Sequence, residues 1–496
     1  MNRQLNRLAV VTTLLLTVLV VATTYWQAWA AGDLKARQDN AIQRVVQFTI
    51  ARGLIYGADG KVLFAANRHK KTGGQTLFFR RYPNGGLAAQ TVGYSTASRS
   101  QTGLEESMND YLTGSNTDLS NAFHNLINKL GERTVHGDDL QLTIRPRVQQ
   151  LAQQLLGDRC GAVVAMNPRT GAVYVIASSP TYDPNLIESK GGYAKVLKVR
   201  GACQGASALY NRSTQGLFTP GSTFKIVTAA AALDTGAYKP TSHFFDPGYC
   251  EEYGQKVSNA GNPDQGGAER FGNLNLKTAF QHSVNSVFCN IGKQLGAKTV
   301  LDYAKRFGFY KSPPVELPAN QRYASGMYGR GGHLDPDPSK ADPGRLAFGQ
   351  WTMLATPLQM AMVGATVANG GVVPRPYLVQ KIIAPDGSTI RKTKPRNLGR
   401  AIKPETAAEL NQMMQLVVSG GTGTAAQIPG IAVAGKTGTA EATNVKNVYN
   451  AWFVSFAPAD DPKVAVAVVL QDQLNGFGGT VAAPIAKQVM QALLAR

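Results

Sequence analysis

The stretch LFTPGSTFKIVTAAAAL, Leu217–Leu233, carries a single lysine in a run of small, apolar and hydroxyl side chains. Lysine is rarely fully buried, because taking its charge out of water is costly or strips its proton. Thr219-Pro220-Gly221 reads as a turn opening a helix, since proline suits the first turn and not the interior. Phe224, Ile226, Val227 and Ala229–Ala232 are then apolar nearly all round, which predicts a buried central helix. Ser222 and Lys225, three residues apart, share one face of it. Ser222 stands at the N-terminal end, where the helix dipole and free N–H groups favour a developing negative charge. A buried Lys225 is easily neutral, and a neutral amine beside a serine can take its proton and make it a nucleophile. The alternative is a surface serine and lysine on an ordinary helix, since SxxK alone is common by chance.

Around this helix the chain reads as a mixed α/β (α+β) domain. GAVVAMNPRTGAVYVIASSP, from Gly161, is two strand-like runs about the turn Asn167-Pro168-Arg169-Thr170-Gly171. GIAVAGKTGTAEA, NAWFVSFAP and KVAVAVVLQD, near the C-terminus, are three further strand candidates. AAPIAKQVMQALLAR closes the chain as a helix with an apolar stripe. Strands at both ends with helices between them predict one antiparallel sheet completed from both termini and packed between helical layers. Residues 33–157 are mixed, with a strand-like run at Lys61–Ala66 and a turn at Asn84-Gly85-Gly86, and show no cluster of nucleophile, base or metal ligands. They read as a non-catalytic pedestal before a catalytic domain at 158–496.

The chain has 496 residues and a net charge of +20. That charge suits nucleic acid, anionic lipid heads or an acidic polymer. The N-terminus selects among them. Arg3 and Arg7 precede an uncharged stretch from Leu8 to Gly32, long enough for the ~20 apolar residues that span a bilayer. Residues 1–32 are therefore read as a cytoplasmic stub and transmembrane anchor, with Tyr25, Trp26 and Trp29 at the interface and the remainder outside the cytoplasm. Nucleic acid is then no partner. Ala28-Trp29-Ala30 also fits a signal-peptide cleavage site, but the apolar segment is long for one, and the uncleaved anchor is preferred. Cys160, Cys203, Cys250 and Cys289 form no CxxC, which argues against a zinc site. Sequence does not choose among their pairings. Cys250 with Cys289 is one guess, and free buried thiols stay open.

Two further motifs follow the SxxK. QHSVNSVF supplies Ser283 and Asn285, which alone would pass for a helix cap. AGKTGTAEA supplies Lys436, Thr437, Gly438 and Thr439 on a predicted strand. A cation flanked by hydroxyls at a sheet edge can bind a carboxylate, and Gly438 would let a substrate backbone come close. The phosphate-loop alternative lacks its full GxxxxGK[ST] pattern. The order SxxK, SxN, KTG is the signature of penicillin-binding proteins and serine β-lactamases. The chain resembles a class B penicillin-binding protein of the actinobacterial penicillin-binding protein A type. The likeness extends to RGLIYGADGKVLF and RRYPNGGLAAQTVGYSTASRSQTGLEESMNDYLTG in the pedestal, and to SSPTYDPN, TPLQMAMVGATVANGG and NAWFVSFAP beyond it. It departs at Gly57-Ala58, where Asp and Arg are usual, and at Trp351, where a GQG-like sequence is common.

The resemblance implies a penicillin-binding/serine β-lactamase-like transpeptidase domain and D,D-transpeptidation of peptidoglycan. Ser222 would be the nucleophile and Lys225 its base, with Ser283 relaying a proton and Asn285 holding Lys225. Lys436 would raise the local positive potential, and Thr437 and Thr439 would bind the substrate carboxylate. The backbone N–H groups of Ser222 and Thr439 would form the oxyanion hole. No metal or organic cofactor is implied, and β-lactams would acylate the same serine. The implied partners are peptidoglycan stem peptides, the inner membrane, and a polytopic glycosyltransferase of the shape, elongation and division family. Glycan polymerisation falls to that partner because no second catalytic domain precedes Cys160. The rivals are a D,D-carboxypeptidase or β-lactamase-type hydrolase, a β-lactam sensor, and a non-catalytic wall-complex scaffold. A sensor would need a cytoplasmic output domain, and only Met1–Arg7 precede the anchor. The intact motifs oppose the scaffold.

Overall fold

The computed structural model describes residues 2–25, 48–72, 75–96, 100–115, 136–203, 205, 207–262, 267–441 and 447–495. Trp26, the Ala28-Trp29-Ala30 cleavage reading and Gly32 lie outside them. A helix runs over Asn2–Thr24. Its segment Asn6–Thr24 is long and apolar enough to cross a membrane, consistent with a single-pass anchor. The hydroxyls of Thr12, Thr13, Thr17 and Thr23 each donate to the carbonyl four residues earlier. That satisfies in place the side-chain donors that lipid cannot.

The catalytic-domain sheet has five strands in the order Ala434–Glu441, Val448–Ala457, Val464–Leu474, Gly161–Met166, Val173–Ser179. Every neighbouring pair is antiparallel. Alternate residues feed opposite faces, as the two-residue period of a strand requires. Ala162, Val164 and Met166, with Trp452, Val454 and Phe456, enter one core. Val163 and Ala165, with Val464, Val466 and Val468, enter the other. The first core also takes the helices Lys225–Asp234, Pro357–Ala368 and Pro404–Gly420. The second takes Pro146–Leu156 and Ala483–Leu494, through Val148, Ala152 and Leu156 and through Ile485, Val489, Met490 and Leu493. The expected antiparallel sheet between helical layers is thus present, closed from both ends of the domain.

The pedestal holds a six-stranded sheet ordered Thr389–Lys392, Val379–Ile383, Asp139–Leu142, Ile55–Tyr56, Leu63–Thr72, Gln75–Arg81. Its first two strands come from far along the chain. They join because Val379 and Ile382 face Leu142 and Leu140 in register, all fully buried. Gly57 stands where an added Cβ would meet Pro146 Cγ at 2.3 Å, so this pedestal has no room for the aspartate usual there. Tyr82 and Asn185 tie pedestal to catalytic domain by exchanging two 2.9 Å hydrogen bonds, Tyr82 N–H to Asn185 Oδ1 and Asn185 Nδ2 to Tyr82 O. All four cysteines are paired, Cys160 with Cys203 and Cys250 with Cys289. The free-thiol alternative therefore falls, because Cα separations of 5.8 and 6.2 Å bring both pairs within bonding reach.

Candidate active site

The Leu217–Leu233 stretch folds in two parts. Gly221–Phe224 is a 3-10 turn that passes directly into the α-helix Lys225–Asp234, every residue of which is buried. Ser222 lies half-buried in the turn, not in the α-helix itself. The turn is held from three sides. Gly221 N–H donates to Gly349 O at 3.0 Å. Thr223 Oγ1 donates to Pro220 O at 2.7 Å. Trp452 Nε1 donates to Thr219 O at 3.0 Å from the sheet. Gly221 has φ 52°, a left-handed conformation that a Cβ would strain. Among the described residues, Ser222 Oγ has no hydrogen-bond partner.

Lys225 is fully buried, and its Nζ donates to three acceptors of the SxN segment. These are Ser283 O at 2.6 Å, Asn285 Oδ1 at 2.8 Å and Ser283 Oγ at 3.2 Å. Ser283 itself has φ 61°, rare for a side chain with a Cβ and a mark of a constrained site. It forms the corner between the helices Leu276–Gln281 and Asn285–Arg306. That corner turns both its carbonyl and its hydroxyl onto Lys225.

Lys436, also fully buried, reaches the same hydroxyl, with Nζ 2.8 Å from Ser283 Oγ. Burial pushes the Lys225 ammonium well below the ordinary lysine range, and the neighbouring Lys436 pushes it further. Burial brings Lys436 itself down to about 7. Both lysines thus give up their protons more readily than a lysine in water.

Lys436, Thr437, Gly438 and Thr439 lie on Ala434–Glu441, the outermost strand of the sheet. Thr437 Oγ1 shares a 2.6 Å hydrogen bond with Thr422 Oγ1, and Thr439 Oγ1 accepts from Gly478 N–H at 3.3 Å. Neither partner was expected from sequence, and neither carries a motif. Gly438 has a use the sequence did not suggest. A Cβ there would lie 2.8 Å from Pro220 O and 3.1 Å from Thr223 N, so its bareness admits the Ser222 turn against the strand. Lys225, Ser283, Asn285 and Lys436 therefore meet directly. Ser222 and Thr437–Thr439 are brought to the same place by turn-to-strand packing. Trp351 takes φ 65° where a glycine was expected, and its Nε1 donates to Lys340 O at 3.2 Å beside Gly349.

Residues 161–491 match the penicillin binding protein transpeptidase domain, and residues 52–140 the penicillin binding protein A dimerisation domain. The chain is 34% identical to the peptidoglycan D,D-transpeptidase PbpA of Mycolicibacterium smegmatis, over 100% of this chain and 99% of that one. It is 34% identical, with the same coverage, to the protein of that name in Mycobacterium tuberculosis. Its fold matches penicillin-binding protein A of M. tuberculosis, solved as a ceftriaxone acyl-enzyme complex. The TM-score is 0.79 at 32% identity, covering 91% of this chain and 100% of that one. It also matches a D,D-transpeptidase domain from Eggerthella lenta, with a TM-score of 0.74 at 34% identity over 90% of this chain and 98% of that one. A three-motif site at the junction of a buried helix and an outer strand, on a chain matched end to end by such relatives, places the protein in the penicillin-binding protein transpeptidase family, on the penicillin-binding protein A pattern.

Proposed function

We propose that this chain is a peptidoglycan D,D-transpeptidase that crosslinks stem peptides through an acyl-enzyme on Ser222 and is inhibited by β-lactams. The observation that carries the reading is the pair of buried lysines meeting at Ser283 Oγ beside the Ser222 turn. Lys225 takes the proton of Ser222 Oγ as that oxygen attacks the penultimate D-Ala carbonyl of a stem pentapeptide. A C–O bond forms, and the charge gathering on the carbonyl oxygen is received by the backbone N–H groups of Ser222 and Thr439. The D-Ala–D-Ala C–N bond then breaks. Its nitrogen takes the proton from Lys225 by way of Ser283 Oγ, and terminal D-Ala leaves.

An amine of a neighbouring stem next attacks the ester carbonyl and gives its proton to Lys225. The new peptide bond forms as the ester C–O bond breaks, and the proton returns to Ser222 Oγ. Asn285 keeps Lys225 in place through both halves. Lys436, with the hydroxyls of Thr437 and Thr439, draws the substrate's terminal carboxylate. Gly438 and the outermost strand let an extended stem peptide lie alongside, as a strand added at a sheet edge. A β-lactam enters the same way, but its leaving nitrogen stays tethered by the opened ring.

The reading extends to organisation. The anchor occupies 1–32 with its N-terminus in the cytoplasm, supported by Arg3 and Arg7 before the apolar helix. The pedestal is 33–157 and the transpeptidase domain 158–496, the pedestal borrowing the strands at Val379–Ile383 and Thr389–Lys392. A polytopic glycosyltransferase of the shape, elongation and division family supplies the glycan. The test is to give the full chain nascent glycan made by a separate polymerase. Free D-Ala and dimeric muropeptides are then measured by mass. Both should form, and both should vanish in Ser222→Ala. D-Ala release without dimers would make the protein a carboxypeptidase and overturn the proposal.

A further inference from the structure

Asp246 is 1% exposed, and among the described residues no lysine or arginine forms an ion pair with it. A buried carboxylate without a counter-charge is tolerated only when its oxygens are fully hydrogen-bonded. Four donors serve this one. Oδ1 accepts from Gly248 N–H at 2.8 Å and from Ser286 Oγ at 2.5 Å. Oδ2 accepts from Asn259 Nδ2 at 2.8 Å and from Phe271 N–H at 2.9 Å. Three of these donors belong to the loops around it. The fourth belongs to the residue that follows Asn285.

The grip on Ser286 is double. Asp246 holds its hydroxyl, while Asn259 Oδ1 accepts its backbone N–H at 2.9 Å. The residue before Asn259 then touches the motif itself, since Ser258 O accepts from Asn285 Nδ2 at 3.2 Å. Asn285 Oδ1 in turn takes the 2.8 Å bond from Lys225. One helical turn further on, Cys289 is bonded to Cys250 of the same hairpin, which spans Tyr249–Ser258. The hairpin is thereby fastened to the start of the Asn285–Arg306 helix by a covalent link and by Ser258 O, and its two flanks by the Asp246 carboxylate and Asn259.

We propose that Asp246 is a positioning residue for the acyl-transfer reaction. Through Ser286 and Asn259 it fixes where the Asn285 carboxamide holds Lys225 Nζ. This rests on the reading of Ser222 as nucleophile and Lys225 as base. Asp246 touches no reacting atom. Its effect falls on the chemical step rather than on the fit of the ligand, because a small displacement of a positioned base slows reaction without loosening binding.

The experiment follows acylation of the full-length chain in detergent by a chromogenic cephalosporin. The wild type, Asp246→Asn, Ser286→Ala and the double variant are compared for the acylation rate constant and the dissociation constant that precedes it. Each single variant should slow acylation by about 10- to 100-fold, with the dissociation constant within about threefold of wild type. The double variant should be no slower than the worse single one, because both cut the same link. Unchanged acylation in a folded Ser286→Ala protein, effects that multiply in the double variant, or a loss confined to the dissociation constant would each overturn the proposal. If Asp246→Asn does not fold, Ser286→Ala decides, since it leaves three of the four bonds to Asp246 intact. A wild-type chain that is not acylated would overturn the underlying reading instead.

Discussion

Lys225 and Lys436 meet at one atom. Ser283 Oγ lies 3.2 Å from the first ammonium nitrogen and 2.8 Å from the second. Two like charges this close in a buried cavity cannot both be comfortable, so protonation of one disfavours protonation of the other. Burial and this proximity together hold Lys225 well below the ordinary lysine range.

Removing Lys436 should therefore raise the pH at which acylation switches on. Lys436→Met takes away a repulsion that depresses Lys225, so the Lys225 proton is held to higher pH. The acylation rate of the variant by a fluorescent penicillin, measured from pH 5 to 10, should show its rising limb displaced upward. A limb at the wild-type position would contradict the coupling.

The same substitution should change how stability depends on pH. An unfolded Lys436 keeps its proton to about 10.5, whereas the folded one gives it up above about 7. Between those values the unfolded state binds more protons, so this group makes stability rise with pH. Melting temperatures at pH 7 and 9 should rise more in wild type than in Lys436→Met.

Glu252 should act in the opposite sense. Burial, with a hydrogen bond to Asp342 assisting, lifts its carboxyl to about 7. Its stabilising effect is complete below the ordinary carboxyl range and is lost as pH rises through about 7. Glu252→Gln should flatten the decline in melting temperature between pH 5 and 7.

Gly438→Ala should damage the reaction more than the fold. The added Cβ would lie 2.8 Å from Pro220 O and 2.9 Å from Thr223 Cγ2, pushing the Ser222 turn away from the strand. Acylation should fall by about 100-fold, the cost typical of an ångström-scale misplacement at a reacting centre. Far-ultraviolet dichroism should stay that of wild type.

Trp452→Phe removes the hydrogen bond beneath the Ser222 turn, together with part of a fully buried ring. A smaller ring remains in the sheet core, while Thr219 O loses its donor. Denaturant unfolding should show a loss of about 1–3 kcal/mol, from the lost hydrogen bond and the space the smaller ring leaves. Acylation should slow alongside.

Much of this architecture was legible in the chain. A lysine among alanines announced the buried helix, and the apolar strand-like runs after Cys160 and near the C-terminus gave the five antiparallel strands. All three motifs were visible because their residues lie close in sequence. What escaped notice is non-local. Trp452 supports Thr219 across 233 residues, and Thr422 reaches Thr437 across 15, with no spacing rule to betray either. The strands Val379–Ile383 and Thr389–Lys392 are short and mixed in sequence, so nothing in them names the pedestal as their destination. Gly438 also makes room for Pro220 and Thr223, a packing need that no spacing in the sequence shows.

The most direct measurement of the central claim is the intact mass of the full chain after incubation with a penicillin, beside Ser222→Ala. A long-lived adduct of one whole drug molecule should form on the wild type and none on the variant. A folded wild-type protein that gains no mass, or an adduct that persists in Ser222→Ala, would contradict that claim.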